Sequence, residues 1–348
     1  MPLSKIQFGN TGRRNMIING AMQVAQRGTS GTPTDSFVSL DRFRGRTYGG
    51  SGRFTMEQVS GGDGGVNIPN GEFAKAMKLT VTTAAASVDA YDYSIAQSIE
   101  ADTFAKLGWG RNEASEALKS CTVSFHMKTS IAGVYSVSMR ANGGGRSIVK
   151  ETPSITANTW TKVVLTFVGD TNTTWRSLGN GVGCLFEINL GRSNAKNTST
   201  LNVHQTGNKV ASDNQARWIG TNGATFFLTG LQIEEGDAAT DFEHRSYGEE
   251  LSLCQRYFYK WINTGLSDQY NFYSPYTPAQ VSAGLPNSSA IRPMTFPVTM
   301  RAAPTMTTTL NTGTLNRQTS TPFGFVAQMG STSNGTAYIT QYLAAAEL

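Results

Sequence analysis

Residues Thr225–Trp261, TFFLTGLQIEEGDAATDFEHRSYGEELSLCQRYFYKW, carry two periodicities back to back. Phe227, Thr229, Leu231 and Ile233 fall on one parity, and Gly230, Gln232 and Glu234 on the other. That alternation predicts a half-buried β-strand. Gly236-Asp237 stops it. Ser246 followed by Glu249 has the capping-box spacing, in which the Ser hydroxyl takes the N3 amide and the Glu reaches back. Leu251, Cys254, Phe258 and Trp261 are then spaced three, four and three apart, one face of a helix. The spacing predicts a short helix from Tyr247, giving way to a strand near Arg256. Strand, Asp-containing turn and capped helix in that order mark a domain junction. Residues 13–245 are then one large β domain, 246–348 a linking helix plus a small C-terminal β domain, and 1–12 an N-terminal arm.

Composition supports an all-β reading. The chain has 348 residues, enough for two domains and a sizeable core. Only 15% are charged, while Gly alone contributes 37 residues, which suits short strands joined by many turns. The net charge of +5 is modest for this length. The basic residues Arg13, Arg14, Arg42, Arg44 and Arg46 read as scattered, solvated charge, and no Lys/Arg run forms a nucleic-acid stripe. Met1–Gly20 lacks the uninterrupted apolar stretch of a signal peptide, so synthesis and folding in a cytosol are expected. No apolar run reaches membrane-spanning length, and no membrane insertion is expected. Cys121, Cys184 and Cys254 are widely spaced and sit among apolar residues, as in GVGCLFEINL. They are expected as buried small hydrophobes.

Outward from the junction, further strands are expected at Met16–Val24 (buried, broken at Asn19-Gly20), Phe37–Phe43, Phe54–Val59, Ala76–Thr82 and Tyr91–Ile99. Thr122–Lys128 and Val134–Arg140 read as a hairpin around Ile131–Gly133, and Trp160–Val168 and Gly183–Leu190 come next. Ala101–Leu107 and Ala114–Leu118 each suggest a helical turn. After Trp261 the candidates are Phe296–Met300, Thr305–Leu310, Phe323–Gln328 and Ala337–Ala344, in a region crowded with proline. Many short strands at about ten-residue spacing predict a sandwich of the jelly-roll kind.

The junction also carries a resemblance. LQIEEGDAATDFEHRSYGEELSLCQRYF is similar to the junction of tailed-phage tail-fibre and minor tail proteins, where a strand ending LQLE.G precedes AT.FE.R and a helix with E.L..CQRY. NMIINGAMQVAQRG followed by LDRFRG resembles the opening of such proteins, and the NLI.NG.F opening strand of jelly-roll carbohydrate-binding modules. FPVTMRAAPTMT and the final AAAEL match that family's terminal domain. The resemblance implies a virion structural protein of a tailed phage: a tail-fibre or related appendage subunit that attaches to a host surface, through glycans. It implies other virion tail proteins as partners and a homotrimer, and it brings no catalytic residues. Two rivals remain open: a polysaccharide-depolymerising tail enzyme, and a purely architectural adaptor or head decoration. Apolar residues near the chain end, Tyr338, Ile339, Tyr342 and Leu343, fit self-association.

Motifs for chemistry are sparse. There is no GxSxG and no HExxH, and His126, His204 and His244 lie in unrelated contexts. Among carboxylates suited to glycoside hydrolysis, Glu187, Glu234, Glu235, Asp237 and Asp241, the neighbours Glu234 and Glu235 point to opposite faces of a strand and cannot form the required pair. The glycine clusters GGDGG and Asn142–Gly145 read as turn tips. Asp41, Asp63 and Asp237 are turn oxygen donors suited in kind to a structural Ca²⁺, set against ordinary solvated turn aspartates. The strands are lined by Thr, Ser and Val more than by aromatics, which argues against an aromatic-paved groove on the concave face. The loops instead hold Trp109, Trp175 and Trp218, with Arg176, Asn172 and Asn180 supplying guanidinium and amide groups. These are the expected glycan contacts, through ring stacking and two-pronged hydrogen bonds. Trp160 is expected in the core and Trp261 at the junction.

Overall fold

The computed structural model describes residues 13–61, 68, 71–85, 92–111, 118–191, 195–262, 271–272, 290–310, 314–330 and 337–348. The expected N-terminal arm 1–12, most of Ala114–Leu118, and Asp63 within GGDGG lie outside them. In chain order the elements are β1 (Ser30–Gly31), β2 (Arg44–Tyr48), β3 (Arg53–Ser60), β4 (Lys75–Thr83), β5 (Asp92–Glu100), α1 (Ala101–Phe104), β6 (Cys121–Thr129), β7 (Ser136–Ala141), β8 (Arg146–Glu151), β9 (Thr161–Phe167) and β10 (Val182–Asn189). Next come β11 (Asn197–Thr198), β12 (His204–Thr206), β13 (Ala211–Ser212), β14 (Thr225–Glu235), α2 (Tyr247–Gln255), β15 (Phe258–Ile262), β16 (Asn271–Phe272), β17 (Ala290–Thr295), β18 (Thr305–Leu310), β19 (Thr314–Thr321), β20 (Gly324–Gly330) and β21 (Ala337–Ala345). The chain is all-β, a jelly-roll sandwich followed by a short helix and a small β domain, in two compact units, Met1–Tyr247 and Gly248–Glu347.

The first unit is two six-stranded sheets. One has the order β1-β3-β4-β14-β6-β9 and the other β12-β8-β7-β10-β5-β2. The chain passes repeatedly between them: β4 to β5, β5 to β6, β6 to β7, β9 to β10. Loop Ile131–Gly133 is therefore an arch between sheets, and the hairpin expected from β6 and β7 does not exist. One parity of most strands faces inward. Phe54 and Met56, Met77 and Leu79, Val123 and Phe125 from the first sheet meet Ile95 and Ile99, Val137 and Met139, Phe186 and Ile188 from the second in one continuous core. All three cysteines are buried, and burial pushes the Cys121 thiol up to about 12.

β14 is the central strand of the first sheet, between β4 and β6. It is buried along almost its whole length, not half-buried as its alternation suggests. The register shifts between Thr229 and Gln232, and Gly230 there has φ +62°. The bulge changes the inward parity, so the core receives Phe226 and Leu228 before it, and Leu231 and Ile233 after it. A Cβ on Gly230 would lie 2.5 Å from the Phe73 ring.

Met16–Val24 is buried as expected but is not a strand. It runs along β14 through Met16 N–H to Ile233 O and Leu231 N–H to Gly20 O, with turns at Asn19 and Met22, both at positive φ. Asn15 Oδ1 also accepts from the Ile233 amide at 3.0 Å. Phe37–Phe43 is likewise turn and bend, and the strand begins at Arg44.

In the second unit α2 buries Glu250, Leu253 and Cys254. Leu251 is only half-buried, and Phe258 and Trp261 belong to β15, so the expected helical stripe ends at Cys254. β21 pairs β15, β16 and β18, while β20 lies between β17 and β19. Met294, Phe296, Met300, Phe325, Ile339 and Tyr342 form the core, with Trp261 stacked on Tyr342 at 5.4 Å. Phe296–Met300 is not a strand. The strand precedes it, with Pro293 on edge strand β17, where a missing N–H is tolerated.

Candidate functional site

The expected tryptophans do not form a site. Trp109, Trp175 and Trp218 are 3%, 1% and 0% exposed. Trp109 packs edge-on against Trp175 at 5.0 Å, and both pack against His204 and Phe104. Trp109 Nε1 donates to Lys119 O at 2.8 Å and Trp175 Nε1 to Asp170 at 3.1 Å. Trp218 lies edge-on to Phe54 and Phe226. These rings seal the sandwich, because large apolar area is worth most where it closes a core. None presents a face to a ligand. Arg176, Asn172 and Asn180 are exposed beside them, and Asn172 caps its own turn by accepting from the Thr174 amide. Trp160, expected inside, is half-buried beside Phe227, with the Lys128 ammonium over both rings.

The metal expectation also changes. Asp41 is fully buried and accepts from Gln26 while pairing with Arg27 at 3.5 Å. Its oxygens are committed to protein donors. Asp237 is exposed. Among the described residues no group of three or more His, Cys, Asp or Glu is placed to hold a metal ion. Of the carboxylates weighed for hydrolysis, Glu187, Glu234 and Glu235 are engaged as well. Glu234, 1% exposed, accepts from Gln232 and Thr240, and Glu235 pairs with Lys119 at 2.8 Å.

The polar chemistry lies on the outer face of the second sheet. The residues of β5, β7, β8 and β10 that alternate with the core include Ser94, Ala96 and Ser98; Ser136, Ser138 and Arg140; Ser147 and Val149; and Leu185, Glu187 and Asn189. Small hydroxyl side chains leave this face low, and residues 195–216 lie over part of it. Ser212 N–H donates to Ser136 Oγ at 2.8 Å, Ser147 Oγ donates to Gly207 O at 2.8 Å, and Gln215 Nε2 donates to Asn189 Oδ1 at 2.8 Å. Val210 and Ala211 become fully buried beneath this cover. β11 and β13, its short parallel pair, stiffen it.

Beyond the cover an open pocket remains. It is lined by Arg44 and Arg46 of β2, Ser98 of β5, Arg140 of β7, Val182 and Leu185 of β10, Asn208 of the cover and Leu348, with the Asn142–Gly144 turn at its edge. Cross-strand register puts Arg44, Ala96, Glu187 and Ser138 in one row. The Ala96 methyl leaves space over which two guanidinium groups reach Glu187. Arg46 Nη1 donates to Glu187 Oε1 at 2.8 Å, and Arg140 Nε to Oε2 at 2.7 Å. Ser94 Oγ donates to the same carboxylate at 3.1 Å. Asp35 and Asp92 lie 3.4 and 3.7 Å from Arg46, and Lys196 also pairs with Asp92. Arg140 Nη1 donates to Asn208. Burial alone would push the Glu187 carboxyl up, but Arg140 and Arg46 outweigh it and hold its pKa below the usual range. Burial likewise works against the Arg46 charge, and Glu187, Asp92 and Asp35 overcome it. Arg42 and Arg46 are thus not solvated charge: Arg42 is 1% exposed and the Arg46 side chain 13%.

The signal for this site was the off-core parity. Serines recur on it, and a single Glu stands within the buried apolar run GCLFEINL. A carboxylate there needs cationic partners from neighbouring strands.

No family model matches the chain, and no curated protein matches it. Several solved structures resemble the chain at low similarity. The enzymatically active domain of bacteriophage CBA120 tailspike protein 4 is 12% identical with a TM-score of 0.32; the match covers 64% of this chain and 21% of that one. TmCBM61, solved with β-1,4-galactotriose, is 12% identical with a TM-score of 0.30, over 64% of this chain and 99% of the other. The CBM22-1–CBM22-2 tandem domain from Paenibacillus barcinonensis Xyn10C is 9% identical with a TM-score of 0.30, over 97% and 100%. This chain thus spans about a fifth of the tailspike chain. Values this low transfer neither a ligand nor an activity.

Proposed function

We propose that this chain is a non-catalytic glycan-binding subunit of a tailed-phage virion, a tail-fibre or related appendage component that attaches the particle to a host surface. The observation that carries the glycan reading is the pocket on the outer face of the second sheet. It offers guanidinium, hydroxyl and amide groups beside the apolar Leu185, the mixture that a sugar ring with its hydroxyls requires. Buried ion pairs hold Arg46 and Arg140 in place, so little side-chain entropy is lost on binding. The phage-appendage part of the reading is supported by the junction and terminal motifs. A homotrimer and docking on other tail proteins belong to the same reading, and several copies acting together would turn weak sites into firm attachment. Binding without chemistry is supported by the state of Glu187, the carboxylate behind the pocket: it is 1% exposed and ion-paired twice, and cannot reach a glycosidic oxygen. The test is binding of the labelled chain to immobilised bacterial surface polysaccharides, with reducing ends assayed in parallel. Retention without new reducing ends is expected. New reducing ends would make the chain a depolymerising enzyme, and failure to bind any polysaccharide would favour an architectural adaptor.

A further inference from the structure

We infer that the pocket on the second sheet selects acidic saccharides, through an anionic group on the sugar held between Arg44 and Arg46; the inference rests on the glycan-binding reading above. The walls carry the argument. Three of the residues lining the pocket are arginines, and no Asp or Glu side chain is among them. Two of the carboxylates that balance these cations sit behind the wall: Glu187 and Asp92 are 1% and 2% exposed. The third, Asp35, is 18% exposed and pairs with both Arg44 and Arg46.

The donors are not all used. Arg44 spends Nε on Asp35 O at 3.2 Å and Nη2 on Asp35 Oδ2 at 2.8 Å, and its Nη1 has no partner among the described residues. Its side chain is 35% exposed. Arg46 spends Nη1 on Glu187, while its Nη2 has only Asp92 at 3.7 Å, beyond hydrogen-bond distance. Both arginines lie on β2, two residues apart, so they share one face. A neutral sugar would leave the free Arg44 donor without a charged partner. A carboxylate or phosphate on the sugar would make charge-assisted bonds to the two idle nitrogens. Arg140, both of whose donating arms already serve Glu187 and Asn208, is a positioning residue that keeps Glu187 back from the opening.

The test uses the full chain and matched probes by titration calorimetry. Oligogalacturonate and hyaluronan oligosaccharides are compared with their carboxyl-reduced twins, and phosphorylated oligomannose with its dephosphorylated twin. The expected result is that at least one acidic probe binds tenfold or more tightly than its neutral twin, a preference that shrinks between 50 and 500 mM salt. The carboxylate and phosphate arms show which anion is taken. Arg44→Gln is expected to erase the preference; it leaves the buried Glu187 pairs intact, so a melting temperature near wild type shows the loss to be local. If neutral twins bind as well as acidic ones, or Arg44→Gln keeps the preference, the inference is overturned while the glycan-binding function stands. If no saccharide of either kind binds, the function itself falls, and the inference with it.

Discussion

At the residue scale, burial reverses the role that side-chain type suggests for the tryptophans. A Trp in a polar loop sequence is legible as a stacking platform, because sequence shows its neighbours along the chain but not those across the sandwich. Trp175 sits between Gly-rich and Thr-rich segments, yet its ring lies against Trp109, Phe104 and His204. Trp175→Ala is expected to cost about 3–5 kcal/mol of stability, read as a lower denaturation midpoint, with saccharide binding unchanged in the fraction that stays folded. Glu187 makes a second case. The sequence shows its oddity in an apolar strand but not its partners Arg46 and Arg140, which are 141 and 47 residues away. Arg140→Ala is expected to cost about 3–5 kcal/mol, because it leaves a buried carboxylate short of a partner. The pH dependence has a definite sign. The folded pKa of Glu187 lies below its ordinary 4.5, so the folded state favours the charged form. Its contribution is complete above pH 4.5 and is lost as pH falls through the lower folded value. Melting temperature should therefore fall with pH below 4.5, more gently in Glu187→Gln.

At the element scale, most strands are legible from alternation, and the exceptions share a cause. β8 escapes notice because Ile148 enters the core while its neighbour Val149 is buried on the opposite face. With both faces covered, a strand loses its two-residue signature. β14 keeps an alternation that changes parity at Gly230. Gly230→Val is expected to cost several kcal/mol, since it combines a left-handed φ with a clash into Phe73. The equilibrium unfolding curve should shift accordingly, and an unchanged midpoint would mean the bulge can be remodelled. In α2 the three-four spacing chose Leu251 and Cys254; Cys254 is buried, but the other buried apolar position is Leu253. The strand coming so soon after the helix takes over Phe258 and ends the helical period. Leu253→Ala is expected to cost about 2–5 kcal/mol, and Leu251→Ala clearly less. Ser246→Ala should cost about 0.5–2 kcal/mol, the worth of the cap that its spacing to Glu249 predicts. Thermal melts of the three variants would rank them.

At the scale of the whole molecule, the all-β class and a change of architecture near residue 246 are legible from composition and one change of period. The sheet order is not, because pairing in the sandwich joins residues far apart in sequence. Each unit has its own hydrophobic core. A chain cut after Tyr247 is therefore expected to fold, with a cooperative thermal transition. A fragment without such a transition would show that the sandwich needs the second unit in order to fold. The proposed homotrimer is checked by sedimentation at micromolar concentration, where a clean monomer would refute it.

The position of β14 sets a timetable for synthesis. It is the last strand of the sandwich to leave the ribosome, yet it lies in the middle of its sheet, flanked by β4 from about 150 residues earlier and β6 from about 100. Until it emerges, β1-β3-β4 and β6-β9 are separate ribbons with unpaired edges, and Met16–Val24 has nothing to run along. The nascent chain must therefore hold most of a sandwich open while it waits for one strand. That interval exposes sheet edges to other chains, and it makes residues 225–235 the closing stitch on which yield in a cell depends. A nascent chain stalled before Thr225 is expected to be protease-sensitive throughout, and one released past the junction to be resistant.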